Sequence, residues 1–367
     1  MADYYVSFPK LTDLTMHQRL AVDNPNPIFV SGLAGTGKSV CLIYRYITLL
    51  KSSNNSTPPH YAYVTFTRTL VAYTKLAVRQ NGLSVDSIYT AASFKDKLKS
   101  NYREIIKEII IDELQDLEIN EVGLFKQKAR SLSVGADFTQ QIYEGKVTKS
   151  YVLDILCENK KYELEKVFRN SFSILNFITK NWHSTLYSPE ELESLKKIRL
   201  GRKPVLCIGD NFVFNIIQEY GNSNTHNIAI LSRNRDGVDK WRYLLDNEGV
   251  DYTYYYSIED RQERNRRNDE DNKYTEYLST LHLTTFHSSK GLEFDTVIIP
   301  DFENYKKHFT DFKATTIEQR KVLYVAITRA KLNLYLVANK KIDFLKDEST
   351  YEILTSSNEN DDEKLPF

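Results

Sequence analysis

The sequence predicts an α/β protein with two similar domains, each a mostly parallel sheet flanked by helices. Short apolar runs alternate along the chain with longer amphipathic runs, which is typical of parallel strands joined by helices. These runs form two sets with a break near residues 145–165. A length of 367 residues agrees with this division, since domains average roughly 150 residues.

The predicted elements follow one another in a regular order. Strands are expected at residues 26–32, 61–66, 108–113 and 131–137, and then at 203–209, 227–233, 250–256, 281–287, 295–301 and 332–338. Helical patterns lie at Ser39–Leu50, Leu70–Gln80, Ser173–Tyr187 and Ile317–Lys331. We therefore expect an N-terminal domain over residues 1–160, a C-terminal domain over 161–345 and a mobile acidic tail over 346–367.

Composition limits the classes of partner. Lys+Arg and Asp+Glu both number 49, so any site for a polyanion must be local. The cysteines Cys41, Cys157 and Cys207 match no metal or disulfide spacing, which favours a reducing compartment. The chain shows no signal pattern and no apolar run near the roughly 18 residues of a membrane span. We expect a cytoplasmic protein with no membrane partner.

The stretch "GLAGTGKS" matches the phosphate-binding pattern G-x-x-x-x-G-K-[ST] between a predicted strand and a predicted helix. In such a loop the backbone N–H groups and the helix N-terminus face a phosphate. Lys38 would reach the β- and γ-phosphates, and Ser39 would bind Mg²⁺. The predicted phosphate-binding residues are Gly32, Leu33, Ala34, Gly35, Thr36, Gly37, Lys38 and Ser39.

The stretch "IIIDELQD" is an apolar strand that ends in carboxylates. Ligands of open α/β sheets bind at this end of the strands. Asp112 is placed to hold the metal, and Glu113 to accept a proton from the attacking water. Alone, the pattern also fits a strand followed by a solvated turn, but after a phosphate loop the functional interpretation is favoured. Together the two motifs predict a nucleoside triphosphatase without specifying its use.

Residues 112–116, D-E-x-Q-D, resemble the second motif of superfamily 1 helicases of the UvrD/Rep/PcrA group. The other motifs of this family occur in order. They resemble "LTMHQRLAV", "YVTFTRTL", "YTAASF", "VGADFTQQIY" (with Ala136 where the family prefers glycine), "LEKVFRNS", "TTFHSSKGLEFDTVIIP" and "EQRKVLYVAITRAK". The resemblance implies two RecA-like domains with the ATP site in the cleft between them.

The resemblance also implies roles for single residues. Gln18 would lie against adenine, Arg45 would border the base, and Phe168 would stack on it in place of the usual tyrosine. Further nucleotide contacts would come from Gly291 and from Glu293, which would bind the ribose.

The implied γ-phosphate contacts are Gln140, Arg169 and the arginine finger Arg329, a feature worth about 10³–10⁵ in rate. Without its motif, Arg329 would be taken for a surface helix arginine in a salt bridge. A site divided between two domains would couple hydrolysis to their closure.

Single strands bind in basic grooves with aromatic stacking faces. The candidate nucleic-acid contacts are Thr65, Phe66, Arg68, Tyr143 and His287. The lysines of residues 94–107 fit either a DNA contact or the solvated face of a helix.

Two accessory domains of the larger relatives are missing, and the charged run 261–273 stands where the second would be. We expect an ATP- and Mg²⁺-dependent translocase or helicase that moves 3′–5′ on single-stranded DNA or a single/double-strand junction. The alternative is a regulatory or sensor ATPase subunit of a complex, for example with a nuclease in antiviral defence or DNA repair, with little unwinding activity alone.

Overall fold

The computed structural model describes residues 4–5, 8–33, 35–53, 61–100, 105–138, 146–156, 159–164, 169–181, 189–209, 211–256, 278–310 and 317–355. The chain forms two compact units. One comprises Val6–Phe168, and the other comprises Arg169–Phe367 together with Met1–Tyr5. The division between the units falls eight residues after the expected boundary at residue 160.

The first unit, Val6–Phe168, is a six-stranded parallel sheet flanked by helices. Its strand order is β3-β2-β4-β5-β1-β6. The strands are β1 (Ile28–Gly32), β2 (Tyr61–Thr65), β3 (Ile88–Thr90), β4 (Ile106–Ile111), β5 (Ala129–Ala136) and β6 (Lys160–Leu164). The helices are α1 (Met16–Val22), α2 (Lys38–Ser52), α3 (Arg68–Arg79), α4 (Ala91–Lys99), α5 (Ile119–Lys128) and α6 (Lys149–Ile155).

The second unit carries a seven-stranded parallel sheet in the order β13-β7-β12-β11-β8-β10-β9. Its strands are β7 (Val205–Ile208), β8 (Ile228–Ser232), β9 (Thr253–Tyr255), β10 (Leu281–Thr285), β11 (Phe294–Ile299), β12 (Ala330–Ala338) and β13 (Glu352–Thr355). Its helices are α7 (Phe172–Asn181), α8 (Pro189–Ile198), α9 (Phe212–Gly221), α10 (Arg235–Asn247), α11 (Lys306–Thr310) and α12 (Ile317–Ile327). The predicted fold class, two α/β domains with parallel sheets, is confirmed.

Three strands fall outside the sequence prediction, and all three lie at or next to a sheet edge. β3 has three residues, and β6 carries the polar sequence KKYEL, so neither shows a buried apolar run. β13 lies within the segment expected to be a mobile tail, yet it pairs in parallel with β7 from Glu352 to Thr355. An edge strand can bury only part of its side chains. Its sequence then lacks the continuous apolar run by which an inner parallel strand is identified.

Residues Tyr4 and Tyr5 are bound to the second unit. The amide of Asn227 brackets Tyr5, since it accepts a hydrogen bond from Tyr5 N at 2.8 Å and donates one to Tyr5 O at 2.7 Å. Tyr4 N donates to Leu278 O at 2.6 Å, and the Tyr4 ring packs edge-on against Phe294. The start of the chain therefore completes the unit that its C-terminal half builds.

The chain is short at both places where the larger relatives insert an accessory domain. Residues 100–105 alone separate α4 from β4, and residues 256–280 separate β9 from β10. The charged run 261–273 lies outside the described residues. Within the described part of the chain, no helix has the length and apolar character needed to span a membrane.

Candidate active site

The phosphate loop joins β1 to α2, and two of its glycines are sterically required. Gly37 precedes α2 with φ of 90°, a left-handed conformation that disfavours a side chain. A Cβ on Gly32 would lie 2.5 Å from Leu164 O and 2.7 Å from Thr36 Oγ1. The loop thus brings the first-turn N–H groups of α2 to the carboxyl end of β1, an arrangement suited to an anion.

Lys38 is folded back onto this loop. Its Nζ donates to Gly32 O at 2.8 Å and to Leu33 O at 2.9 Å, and it lies 3.7 Å from Asp137 Oδ2. Asp137 follows β5, the strand next to β1. The ammonium group therefore lies at the carboxyl ends of β1 and β5, where phosphate would approach.

Gln18 holds the loop from α1. Its Nε2 donates to Thr36 O at 2.9 Å, and its Oε1 accepts from Thr15 N at 2.9 Å. Thr15 Oγ1 in turn accepts from Gln18 N, which completes a capping box. The side-chain amide of Gln18 is thus engaged by the protein on both sides.

Asp112 directly follows β4 and contacts Ser39 at the same carboxyl end of the sheet. Its carboxylate accepts hydrogen bonds from the Ser39 hydroxyl, from Tyr63 Oη at 3.1 Å and from Glu113 N at 3.0 Å. Burial, followed by the Glu113 charge, raises the pKa of Asp112 to about 6, although Ser39, Lys38 and Tyr63 act in the opposite direction. Burial and then the Asp112 charge raise the pKa of Tyr63 well above its ordinary value, so Tyr63 remains a donor.

Glu113 adopts a left-handed backbone conformation, with φ of 55°. Such a conformation costs a non-glycine residue on the order of 1–3 kcal/mol and is typical of functional sites. Gln115 bridges this residue to the next strand, because its Nε2 donates to Glu113 Oε2 and its Oε1 accepts from Asp137 N. The side chain of Glu113 is thereby fixed beside Asp112.

The donor set at this edge fits Mg²⁺. Ser39 and Asp112 supply oxygen atoms, which Mg²⁺ prefers, and the buried carboxylate gains a counter-charge when a cation binds. In the described ranges there is no group of three or more His, Cys, Asp or Glu side chains that could hold a metal.

Arg45 on α2, predicted to border the base, is held by the protein itself. Its buried guanidinium forms a two-pronged ion pair with Glu108 on β4, at 2.5 and 3.0 Å. Its remaining nitrogen donates to Asn24 O at 2.8 Å. Ser133 Oγ also donates to Glu108. The sequence motif gave no sign of Glu108, because this partner lies 63 residues further along the chain.

Replacing Glu108 by leucine should destabilise the first unit by about 3–5 kcal/mol, since a buried guanidinium would lose its partner. The double variant Arg45→Met/Glu108→Leu should recover most of that loss. Urea unfolding of the full chain, with nucleotide affinity measured in parallel, checks both. If Arg45 instead contacts the base, the double variant should bind nucleotide more weakly than the wild type, even where its stability in urea is recovered.

In the second unit, Arg169 and Glu293 come together. Arg169 Nε donates to Glu293 Oε2 at 3.0 Å. Burial would raise the pKa of Glu293, but the charges of Arg169, Lys331 and Arg329 outweigh it and lower the pKa below its usual value. Gly291, in the tight turn before Glu293, has φ of 83°. The residues predicted to contact γ-phosphate and ribose are therefore neighbours.

Arg329 lies in the turn between α12 and β12, not on the helix face suggested by the predicted helix Ile317–Lys331. Its side chain is buried, and it donates to Val325 O at 2.8 Å and to Leu292 O at 3.1 Å. Asn170 supports the same turn, with bonds from Nδ2 to Thr328 O at 3.0 Å and Ala330 O at 2.7 Å. The interpretation of Arg329 as a surface arginine is wrong.

Several predicted residues lie outside the described part of the chain, namely Ala34, Gln140, Tyr143 and Phe168.

Three candidate nucleic-acid contacts share one strand end. Thr65 ends β2, the half-buried Phe66 packs against the core of the first unit, and the exposed Arg68 begins α3. His287 is half-buried and follows β10 in the second unit. Of the basic residues in α4, Lys95 pairs with Glu121 at 2.8 Å and Lys97 donates to Tyr89 Oη at 2.6 Å. These two bonds favour the solvated-helix interpretation.

Sequence reasoning missed four residues that shape the site, Tyr63, Gln115, Asp137 and Asn170. Gln115 and Asp137 carried a signal, since both stand at motif positions. Tyr63 and Asn170 also lie within the quoted motif stretches, but nothing in those stretches points to their partners, which are distant in sequence.

Comparisons with known proteins agree with these motifs. The family described as UvrD-like helicase C-terminal domain matches residues 257–341. RecBCD enzyme subunit RecB of Chlamydia pneumoniae is 49% identical over 63 residues, and DNA helicase II of Rickettsia typhi is 37% identical over 67 residues. Each alignment covers 17% of this chain, but only 6% and 10% of those proteins. The structure of Bacteroides Pif1 bound to ssDNA is 15% identical, with a TM-score of 0.46, and the match covers 92% of this chain and 95% of that one.

The chain thus spans a small part of the curated relatives, and the family match lies in its C-terminal half. The phosphate loop and the D-E-x-Q-D sequence, each at the carboxyl end of a parallel strand, extend the family pattern to the N-terminal half. Residues 257–341 therefore match the C-terminal domain of UvrD-like helicases, and the chain is similar to superfamily 1 helicases.

Proposed function

We propose that this chain is an ATP-hydrolysing motor that translocates along single-stranded DNA. The proposal rests mainly on one observation: Lys38, Ser39, Asp112 and Glu113 lie together at the carboxyl ends of the parallel strands. These groups are the ones that phosphoryl transfer needs: a phosphate cradle, a cation site and a base.

Nucleotide would bind first through the phosphate loop. The N–H groups at the start of α2 bind phosphate oxygens, and Lys38 exchanges its bonds to Gly32 O and Leu33 O for the β- and γ-phosphates. Gln18 keeps the loop in shape through Thr36 O. For Gln18 to contact adenine as well, it must release Thr36 O or Thr15 N.

Mg²⁺ would be held by Ser39 and Asp112, and when bound it neutralises charge on the phosphate oxygens. Glu113 accepts the proton of the attacking water, and its fixed position lowers the cost of aligning that water. Gln115 maintains this position through its bond to Glu113 Oε2. Gln115 also contacts Asp137 N, so it links the base to the strand end beside Lys38.

The second unit would supply the cations that stabilise the γ-phosphate, Arg169 and Arg329, together with Gly291 and Glu293 for the ribose side. We infer that hydrolysis is coupled to closure of the two RecA-like units. The support is the distribution of the required groups along the chain, since neither half contains the complete set. Gln140, Phe168 and Ala34 keep their proposed nucleotide contacts on the family resemblance alone.

DNA would lie across Phe66 and Arg68, with Tyr143 and His287 as further contacts, whereas the predicted contact Thr65 is fully buried and does not offer its side chain. With equal numbers of acidic and basic residues, binding depends on these local groups. The 3′–5′ direction and action at single/double-strand junctions rest on the family resemblance, and a cytoplasmic location rests on the cysteine usage and the sequence pattern. A role as a regulatory ATPase subunit, for example with a nuclease, is the second candidate, because RecB is named as a subunit of the RecBCD enzyme.

The motor is tested by ATP hydrolysis with and without single-stranded DNA. We expect DNA to raise kcat in a saturable manner, with an affinity that falls as salt rises by a log–log slope of about −0.7 per phosphate contact. Lys38→Ala should abolish nucleotide binding and turnover, which makes it the control for contaminating ATPases. If DNA leaves kcat unchanged and an added partner protein raises it, the regulatory-subunit function replaces the motor.

A further inference from the structure

Tyr63 lies beside the carboxylate that is proposed to bind metal. In the ladder between β2 and β4, Tyr63 pairs with Ile110, so Asp112 is its diagonal neighbour on the same face of the sheet. An aromatic side chain can reach that distance. The Tyr63 ring is fully buried, and its hydroxyl donates to Asp112 Oδ2 at 3.1 Å.

The other contacts of Asp112 leave its carboxylate little freedom. Oδ1 accepts from Glu113 N at 3.0 Å, and Asp112 N donates to Val64 O at 2.9 Å. On the neighbouring strand β5, Gly135 has no side chain to crowd Oδ1. A Cβ at that position would lie 3.3 Å from this oxygen. The Tyr63 bond holds the second oxygen and so fixes the rotation of the carboxylate plane relative to Ser39.

A nearby tyrosine shows that this core does not require every hydroxyl to be paired. Tyr46 packs edge-on against Tyr63, with ring centroids 5.7 Å apart, and is also fully buried. Its hydroxyl has no hydrogen-bond partner in the described part of the chain. Burial alone therefore does not account for the bond between Tyr63 and Asp112.

We propose that Tyr63 is a positioning residue for metal binding, which orients the Asp112 carboxylate so that one oxygen faces the cation beside Ser39. The inference rests on the proposed Mg²⁺–nucleotide site and adds to it a residue from a different strand. Partners of metal ligands typically contribute 10–100-fold to metal affinity because they fix ligand orientation. The hydroxyl, not the ring, carries this contribution.

The test is Tyr63→Phe, with Tyr46→Phe as the matched control that deletes a hydroxyl from the adjacent ring. The affinity of the full chain for a fluorescent ADP analogue is measured in EDTA and across a Mg²⁺ titration, and bound Mn²⁺ is counted by electron paramagnetic resonance. In Tyr63→Phe we expect unchanged affinity in EDTA and a roughly 10–100-fold higher metal concentration at half-saturation. High Mg²⁺ should restore turnover. Tyr46→Phe should match the wild type.

Each outcome decides a separate point. Wild-type metal dependence in Tyr63→Phe would overturn the positioning role and leave the proposed function intact. A wild-type chain whose nucleotide affinity ignores metal would overturn the Mg²⁺ site itself. Equal loss of affinity in EDTA and in Mg²⁺ would show that Tyr63 acts on folding alone, and thermal unfolding of both variants identifies that case.

Discussion

Replacing Arg329 by alanine is expected to lower kcat by about 10³–10⁵, the contribution of an arginine that stabilises charge on a transferring phosphoryl group. Nucleotide affinity should change far less, because the phosphate loop lies in the first unit. Single-turnover hydrolysis at saturating DNA, beside equilibrium nucleotide binding, separates the two effects. Lysine at this position should rescue little, since an ammonium cannot reproduce the bonds of a planar guanidinium.

A loss of stability must be distinguished from a loss of chemistry in this variant. The guanidinium donates to Val325 O and Leu292 O, so its removal takes a hydrogen bond from each of these carbonyls, at about 1–3 kcal/mol. Lys331→Ala is the matched control: it deletes a cation two residues away that pairs with Asp295 at 3.0 Å. Near-normal turnover is expected there. Comparable loss in both variants would remove Arg329 from the role of finger.

Replacing Glu113 by glutamine is expected to lower kcat by about 10²–10⁴ while nucleotide and Mg²⁺ binding persist. The amide keeps the size of the side chain and can still accept a bond from Gln115, but it cannot take a proton from water. Pre-steady-state hydrolysis and metal-dependent nucleotide binding are the measurements. Near wild-type turnover would exclude Glu113 as the base.

Glu118→Gln is the control for Glu113. Glu118 lies in the same connection between β4 and α5, where its N–H donates to Glu121 Oε2 at 3.2 Å and its exposed side chain accepts a bond from Lys146 at 3.4 Å, which glutamine can also accept. Turnover should stay at the wild-type level. A fall in Glu118→Gln as large as that in Glu113→Gln would point to a disturbed connection instead of a lost base.

The fold class and the family were predictable because their signals are local. The phosphate loop and the D-E-x-Q-D sequence are short runs whose neighbours are strands and helices with clear periodicity. Placement of Lys38, Ser39, Asp112 and Glu113 at one edge follows from parallel pairing, since carboxyl ends of parallel strands align. The catalytic and binding roles of these residues stay predictions until the variants above are measured.

Contacts between distant segments were not predictable. Arg45 stands seven residues after Lys38 and fits a motif position, yet its guanidinium is held by Glu108 from β4. Arg329 lies within the helix predicted from the sequence, Ile317–Lys331. In the structure the helix ends at Ile327, and the side chain of Arg329 is buried in the following turn. Both outcomes depend on what lies opposite in space.

By itself the sequence determined which groups stand at the strand ends, because a glycine-rich turn and a carboxylate pair lie in short runs whose neighbouring strands and helices are clear. Only the tertiary structure decided which partners hold those groups: Tyr63 on Asp112, Gln115 between Glu113 and Asp137, and Asn170 beside Arg329. It also assigned Tyr4 and Tyr5 to the second unit through Asn227. The physical reason is that hydrogen bonds across a sheet depend on strand order and register, which no single segment encodes.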